Sequence, residues 1–392
     1  TESIPQVREA LEAGADIIMF DNMSVPDMKE AVALIGGRAA TEASGNMTLD
    51  RLAEVASTGV DFISVGALTH SVKAMDISMN IRLDKKYLTG AIDRLRRQKN
   101  AVVLAHYYTD PEIQDIADFV GDSLELSRKA AETSADIIVF CGVRFMAETA
   151  AVLSPDKTVL MPVGHAGCSL ADGITGEALG EWRKTHPDGV VVSYVNTTAD
   201  TKARTDICCT SANAVRVASS VAAAASGRPV LFAPDRNLGA HINACAGLDM
   251  ELWDGCCHVH DRITSEAVLS AAERYPQAEI LIHPEAACSS DPEVTGHPRC
   301  YFYSTSGIIR HAKESPCRTF IIATEIGVLH RLSQEAPDKE FIPLSDDLIC
   351  ADMKKADLES LYYALEYERY KVSVPEDTAS MAVLPVRKMM EL

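Results

Sequence analysis

At 392 residues, with 47% apolar and 24% charged residues, the chain has the balance of a soluble globular protein with room for about two to three ordinary domains. A net charge of −19 excludes a non-specific nucleic-acid binder, which needs clustered Lys and Arg, but leaves open a locally positive site for a small anion. No apolar run nears the roughly 20 residues of a membrane span, and no signal peptide opens the chain. Three βα units are predicted first. Apolar stretches at 15–20, 38–42 and 60–65 alternate with helical patterns at 27–34 and 49–57. Each stretch ends in a short polar or glycine-bearing turn: Asp21-Asn22, Glu42-Ala43-Ser44-Gly45 and Ser64-Val65-Gly66. Such turns at the C-terminal ends of parallel strands are where α/β barrels bind phosphate, although any one alone is equally an ordinary turn. Three units cannot close an eight-stranded barrel, so residues 1–80 are expected to form a partial (β/α) barrel with open strand edges. The chain opens at Thr1 already inside this pattern, and a longer reading frame upstream is expected. Arg82-Leu-Asp-Lys-Lys-Tyr87 reads as a linker running into an amphipathic helix, which together occupy residues 81–98.

From residue 100 a pattern recurs three times. The first copy has an apolar strand at 101–105 ending in His106-Tyr107-Tyr108, a helix start at Gly121-Asp122-Ser123, strands at 136–141 and 159–162, and then Cys168. The second runs from 190–195 and Asn196 through Cys209-Thr210-Ser211-Ala212-Asn213 and 230–233 to Cys257. The third runs from 279–282 and His283-Pro284-Glu285 through Ser304-Thr305-Ser306-Gly307 and 319–323 to Cys350. The cysteines are 89 and 93 residues apart, and the serines Ser123, Ser211 and Ser306 precede them by 45, 46 and 44. The predicted fold is therefore α/β: three pseudo-threefold-related α/β/α units with parallel sheets around a central active site. Their expected bounds are 99–170, 171–258 and 259–352, with C-terminal helices over 353–392 returning to the first unit.

Eleven cysteines exceed what packing requires, and an odd number without a secretory signal fits a reducing cytoplasm rather than a disulfide framework. A lone cysteine is most often a small buried hydrophobe. Three at equal spacing would instead converge on the pseudo-threefold axis, where soft thiolates select zinc or an iron–sulfur cluster. Without an evident fourth ligand, one coordination position stays free, as at a catalytic metal. Alignment of the copies favours Cys257 over its neighbour Cys256. The run Cys256-Cys257-His258-x-His260 departs from the usual spacing of a local zinc site. Cys141, Cys208, Cys209, Cys245, Cys288, Cys300 and Cys317 read as structural.

Ser123, Ser211 and Ser306, with Thr305 beside it, each precede an apolar-periodic helix, where capping is the plain explanation. In a threefold arrangement the same helix N-termini and hydroxyls would face the axis and hold a small polyanion. His106 and Tyr108, Tyr194 and Asn196, and His283 and Glu285 lie at strand ends, where chemistry sits in open α/β sheets.

Two resemblances follow from these residues. Ala15-Asp-Ile-Ile-Met-Phe-Asp-Asn22, Glu42-Ala-Ser-Gly45 and Val60-Asp-Phe-Ile-Ser-Val-Gly-Ala-Leu-Thr-His70 resemble the last part of the barrel of the quinolinate phosphoribosyltransferase (nicotinate-nucleotide diphosphorylase) family. That family's N-terminal domain and earlier barrel strands have no counterpart here, which implies an inactive remnant. Residues 84–392 resemble the quinolinate synthase family through Leu104-Ala-His-Tyr-Tyr108, Asp115-Ile-Ala-Asp-Phe-Val-Gly-Asp-Ser123, Tyr194-Val-Asn196, Thr210-Ser-Ala-Asn213, Pro234-Asp-Arg-Asn-Leu-Gly239, His283-Pro-Glu285, Thr324-Glu-Ile-Gly327 and Cys350-Ala-Asp-Met-Lys-Lys355. This second resemblance implies a 4Fe-4S cluster on Cys168, Cys257 and Cys350, and condensation of iminoaspartate with dihydroxyacetone phosphate to quinolinate in NAD biosynthesis. Glu285 is then the candidate base, with His106, His283, Tyr108 and Tyr194 carrying protons or orienting groups. Ser123, Asn196, Ser211, Thr305 and Ser306 would hold phosphate and carboxylate oxygens, with the register at Thr305 and Ser306 open by one residue. The pathway implies a functional link to L-aspartate oxidase and to quinolinate phosphoribosyltransferase, and the junction of the two resemblances implies a bifunctional chain or an accident of assembly. A zinc enzyme on the same cysteines and a non-catalytic anion-binding module are the alternatives.

Overall fold

The computed structural model describes residues 1–70 and 83–392, and the chain divides into two units, Thr1–Ile81 and Arg82–Leu392. Residues 71–80 of the predicted barrel segment and 81–82 of the predicted linker lie outside the described residues.

In the first unit, strands β1 (Ile17–Asp21), β2 (Ala40–Ser44) and β3 (Phe62–Ile63) form one parallel sheet in that order. Alternation decides which face is covered. Ile18, Phe20 and Ala43 are buried against Val7, Met28, Ala31, Ile35 and Val55 of three helices. On the other face Met19, Glu42 and Phe62 lie in one cross-strand row, and Ile17, Met19 and Phe62 are 57%, 43% and 57% exposed. The helix Ile4–Glu12 ahead of β1 is not among the predicted elements.

The second unit contains three sheets. The first holds β4 (Ala101–His106), β5 (Phe119–Gly121), β6 (Ile137–Cys141) and β7 (Thr158–Leu160). The second holds β8 (Val190–Tyr194), β9 (Ile207–Cys209), β10 (Val230–Ala233) and β11 (Glu251–Leu252). The third holds β12 (Glu279–Ile282), β13 (Cys300–Phe302), β14 (Thr319–Ala323) and β15 (Glu340–Pro343). In spatial order the strands run β5-β4-β6-β7, β9-β8-β10-β11 and β13-β12-β14-β15, all parallel. The order second, first, third, fourth is the same in each, as a repeat requires. Unbroken apolar runs such as Ile137-Ile-Val-Phe-Cys141 suit strands covered on both faces, and all five of those residues are buried.

One core runs through all three sheets, joining Leu104 and Phe140, Val192 and Phe232, and Leu281 and Phe320. Outside it, the amphipathic helix Lys85–Gln98 starts at Asp84, whose carboxylate accepts from the N–H groups of Lys86 and Tyr87. Its buried Leu88, Ala91, Ile92 and Leu95 follow helical spacing, and Leu88, Ile92 and Leu95 share a cluster with Leu358, Leu361 and Leu365 of the helix Leu358–Tyr367. The C-terminal segment also contains a strand outside the predicted set. β16 (Lys371–Val372) pairs antiparallel with β7, and the helix Glu376–Glu391 then packs against both Arg144–Leu153 of the first copy and β9 of the second.

Candidate active site

Register shows which residues of the three copies correspond. β4, β8 and β12 pair with the third strands β6, β10 and β14 at Ala105–Cys141, Ser193–Ala233 and Ile282–Ala323. His106, Tyr194 and His283 therefore occupy one position, and Tyr108, Asn196 and Glu285 another. All six line a single cavity between the three sheets, together with Ser123, Ser211, Thr305, Cys168, Cys257 and Cys350. Including the open space at its mouth, the cavity measures about 760 Å³, the size of a small-ligand site.

Of the thirteen predicted site residues, Ser306 alone stays outside this lining. Its hydroxyl donates instead to the Asp122 carboxylate across the interface of the first and third copies. Tyr303 N–H bonds to Ile282 in β12, placing Thr305 rather than Ser306 level with Ser123 and Ser211. The capping residues also differ from expectation. Asp122 and Ser304 cap the first and third helices, accepting from Leu124, Glu125 and Gly307 N–H groups. The second helix, Ala214–Ala225, follows Asn213 and has no side-chain cap. Two of the three helix N-termini thus already have a side-chain acceptor, and the one beside Ser211 has none.

The cysteine positions are equivalent in detail. Burial pushes the Cys168 thiol up to about 12, while backbone N–H groups of Leu170 and Ala171, two and three residues on, favour the thiolate. Burial likewise raises Cys257, opposed by N–H groups of Val259 and His260, and raises Cys350, opposed by those of Asp352 and Met353. Three free thiols lining one cavity, each with the same pair of backbone donors, fit a metal group that binds thiolates, since coordination deprotonates a buried thiol that water would not. Among the described residues, no fourth cysteine lines the cavity. Cys256 faces Asp261 and lies outside the lining.

A continuous hydrogen-bonded chain crosses the cavity. Tyr194 donates its hydroxyl to Glu285, whose other oxygen lies 2.9 Å from His260 Nδ1. His260 Nε2 is 2.8 Å from the Thr324 hydroxyl, which is 2.7 Å from Tyr108, itself 2.8 Å from Thr305. Burial works to raise the Glu285 carboxyl, but His260 and His283 beside it, with the two hydrogen bonds, hold it below the usual carboxylate range. Burial drives His106 and His283 down to about 3, so both imidazoles are neutral near pH 7. Burial also keeps Tyr108 and Tyr194 protonated. Tyr108 N–H donates to His106 Nδ1 at 3.1 Å, which leaves Nε2 as the protonated nitrogen of that neutral ring. Asn196 Oδ1 is buried without a partner and needs a donor from whatever binds.

Sequence reasoning does not single out four residues: His260, which lines the cavity, Thr324, which extends the hydrogen-bonded chain, Glu325, which lines the cavity, and Asp235, which accepts from Cys257 N–H. The last three each follow the third strand of a copy, just as the predicted residues follow the first, so the same strand-end logic finds them. His260 carries a sequence signal only for a local zinc site.

Fold and site define a pseudo-threefold α/β protein whose three cysteines converge on a buried cavity crossed by linked proton donors and acceptors. Residues 90–391 match the family described as quinolinate synthetase A protein, and residues 1–80 match the C-terminal domain of quinolinate phosphoribosyl transferase. The quinolinate synthase of Pyrobaculum aerophilum is 50% identical over 303 residues, covering 76% of this chain and 97% of that one. That of a Thermus thermophilus strain is 49% identical over 301 residues, covering 77% and 96%. The chain belongs to the quinolinate synthase family. Among solved structures, the nicotinate-nucleotide pyrophosphorylase of Francisella tularensis is 44% identical over 20% of this chain and 28% of its own, with a TM-score of 0.19. The chain therefore spans under a third of that protein's length.

Proposed function

We propose that this chain condenses iminoaspartate with dihydroxyacetone phosphate to give quinolinate, phosphate and two waters, using a 4Fe-4S cluster held by Cys168, Cys257 and Cys350. Carrying this reading is the presence of three repeat-equivalent cysteines in the lining of one cavity, in a chain of this family. When bound, such a cluster would supply an iron without a thiolate, a Lewis acid for a substrate hydroxyl or carboxylate. The chain's own residues do the rest. Ser123, Ser211, Thr305 and Asn196 hold carboxylate and phosphate oxygens, with no Lys or Arg among the described lining residues to help them. Glu285 is the charged member of the hydrogen-bonded chain, between Tyr194 and His260. Both of its oxygens are engaged, so a proton taken from substrate reaches it through the Tyr194 hydroxyl or the His260 ring. Neutral His106 and His283 orient substrate groups or donate to a departing hydroxide.

A zinc reading draws on Cys257, His260 and Glu285, whose ligand atoms lie within 4.8 Å of one another. Both His260 nitrogens are already hydrogen-bonded, which disfavours it. For residues 1–80 we infer no phosphoribosyltransferase activity on their own, because the three strands among the described residues do not enclose a barrel site. The setting inferred is the cytoplasm, with L-aspartate oxidase as supplier of the imine.

Anaerobic reconstitution with iron and sulfide, followed by assay with iminoaspartate and dihydroxyacetone phosphate, tests the proposal. A brown protein with about four iron and four sulfide per chain that forms quinolinate is expected. A colourless protein, or one that forms no quinolinate, overturns the reading.

A further inference from the structure

The turns that bear the cysteines are held by carboxylates with no part in the hydrogen-bonded chain. In the second copy, Asp235 is fully buried two residues beyond β10. One of its oxygens accepts from the N–H groups of Asn237 and Leu238 at 2.8 and 3.0 Å, and the other accepts from Cys257 N–H at 2.8 Å. In the third copy, Glu325 occupies the equivalent position beyond β14, also buried. It accepts from Gly327 N–H at 2.7 Å and from Cys350 N–H at 3.2 Å, with Lys354 Nζ 3.4 Å away. A side chain at Gly327 would meet the Glu325 carboxylate at 2.7 Å and the Tyr108 backbone at 2.9 Å, so the position has room only for glycine.

The first copy lacks this device. Its equivalent position, two residues beyond β6, is Val143. The Cys168 turn is anchored from outside instead. Gly167 N–H donates to Asp352 at 3.0 Å, two residues after Cys350, and Lys355 ties Asp352 at 2.6 Å to the His165 carbonyl at 2.9 Å. On its other side, Ser169 meets His258 Nδ1 at 3.1 Å, one residue after Cys257. The three turns thus form a linked series with the Cys168 turn in the middle.

We propose that Asp235 and Glu325 are positioning residues that fix the Cys257 and Cys350 turns, and that Asp352 passes this anchorage to the Cys168 turn. The inference rests on the iron–sulfur reading above. Packing alone gives a poor account of two buried carboxylates beside three thiolates, because like charges repel and burial penalises each. A carboxylate is, however, the one side chain that accepts several N–H groups at once in fixed geometry. Partners of this kind orient the atoms that bind a metal.

The test uses the full chain reconstituted anaerobically, alongside Asp235→Asn, Glu325→Gln and Asp352→Asn. Each replacement keeps shape and removes one acceptor. Expected are iron losses to a chelator about 10- to 100-fold faster than in the parent, and a more positive reduction potential in Glu325→Gln as an anion leaves the vicinity of the cluster. A purely structural role would lower the melting temperature of the metal-free chain and leave the potential unmoved. Asp352 is partly exposed, so its variant is expected to fold even where the buried ones do not, and it then decides the question. If all folded variants keep their iron as long as the parent, the inference fails while the iron–sulfur reading stands. If the parent itself takes up no iron and sulfide, both fall.

Discussion

The two units of this chain use one building plan with opposite results. Thr1–Ile81 and Arg82–Leu392 are both made of parallel strands alternating with helices. The first has one sheet covered on one face, with Ile17, Met19 and Phe62 open on the other. The second has three sheets around a shared core, with central strands such as β6 closed on both faces. Polar strand ends occur in both: Asn22, Ser44 and Ser64 in the first, and the His106, Tyr194 and His283 set in the second. In the second unit, repetition brings the ends of three sheets to one cavity.

The largest effect that would break this contrast is at the cysteines. Cys168→Ser is expected to abolish iron and sulfide uptake and quinolinate formation together, whereas Cys256→Ser leaves both near the parent level; parallel metal analysis and product assay check it. Retention of ligand binding and fold without activity change in Cys168→Ser would instead favour the anion-binding module. Next in size, Phe140→Ala in β6 should cost about 3–5 kcal/mol, as a fully buried ring in a two-sided sheet leaves a cavity, and chemical denaturation measures it. Acid comes third. His106 and His283 have folded values depressed to about 3, below the ordinary 6.5, so their contribution is complete above about pH 6.5 and is lost as pH falls toward 3. Stability should decline by roughly 1.4 kcal/mol per pH unit for each ring across that window, read from denaturant midpoints at stepped pH. Smallest is Met19→Ala on the open face of the first sheet, expected to change stability by less than about 0.5 kcal/mol. A cost like that of Phe140→Ala would mean that the face is covered after all.

Much of this was legible in the residues. Apolar runs marked ten of the sixteen strands among the described residues, because a parallel strand buried on both faces leaves an unbroken signature, as in Ile137-Ile-Val-Phe-Cys141, whereas β5, β9, β11, β13, β15 and β16, of two to four residues, are too short to stand out. Alignment of the three copies favoured Cys257 over Cys256, a choice that spacing alone left open. What escaped depended partly on local turn geometry and partly on contacts distant in sequence. The cap of the first helix is Asp122 and not Ser123, since either residue type can cap and only the turn geometry chooses. Thr305 replaced Ser306 because a one-residue difference in the turn after β13 cannot be counted from spacing. β16 is too short to carry a periodicity, and its pairing with β7 spans some two hundred residues of chain. His260 looked like a misfit zinc ligand because its partners, Glu285 and Thr324, come from another part of the chain.

The correspondence of Tyr108, Asn196 and Glu285 bears on why three copies are joined in one polypeptide. A ring of three identical separate chains would be forced to put the same side chain at all three places. Three glutamates there would crowd three negative charges into one dry space and push each other's protons back on, while three tyrosines would leave the hydrogen-bonded chain with no charged member. Covalent joining lets the copies keep a common frame and diverge at its centre, so that one position can be phenol, amide and carboxylate at once. The asymmetry on which the proposed proton transfer depends is thus open to three copies held on one chain.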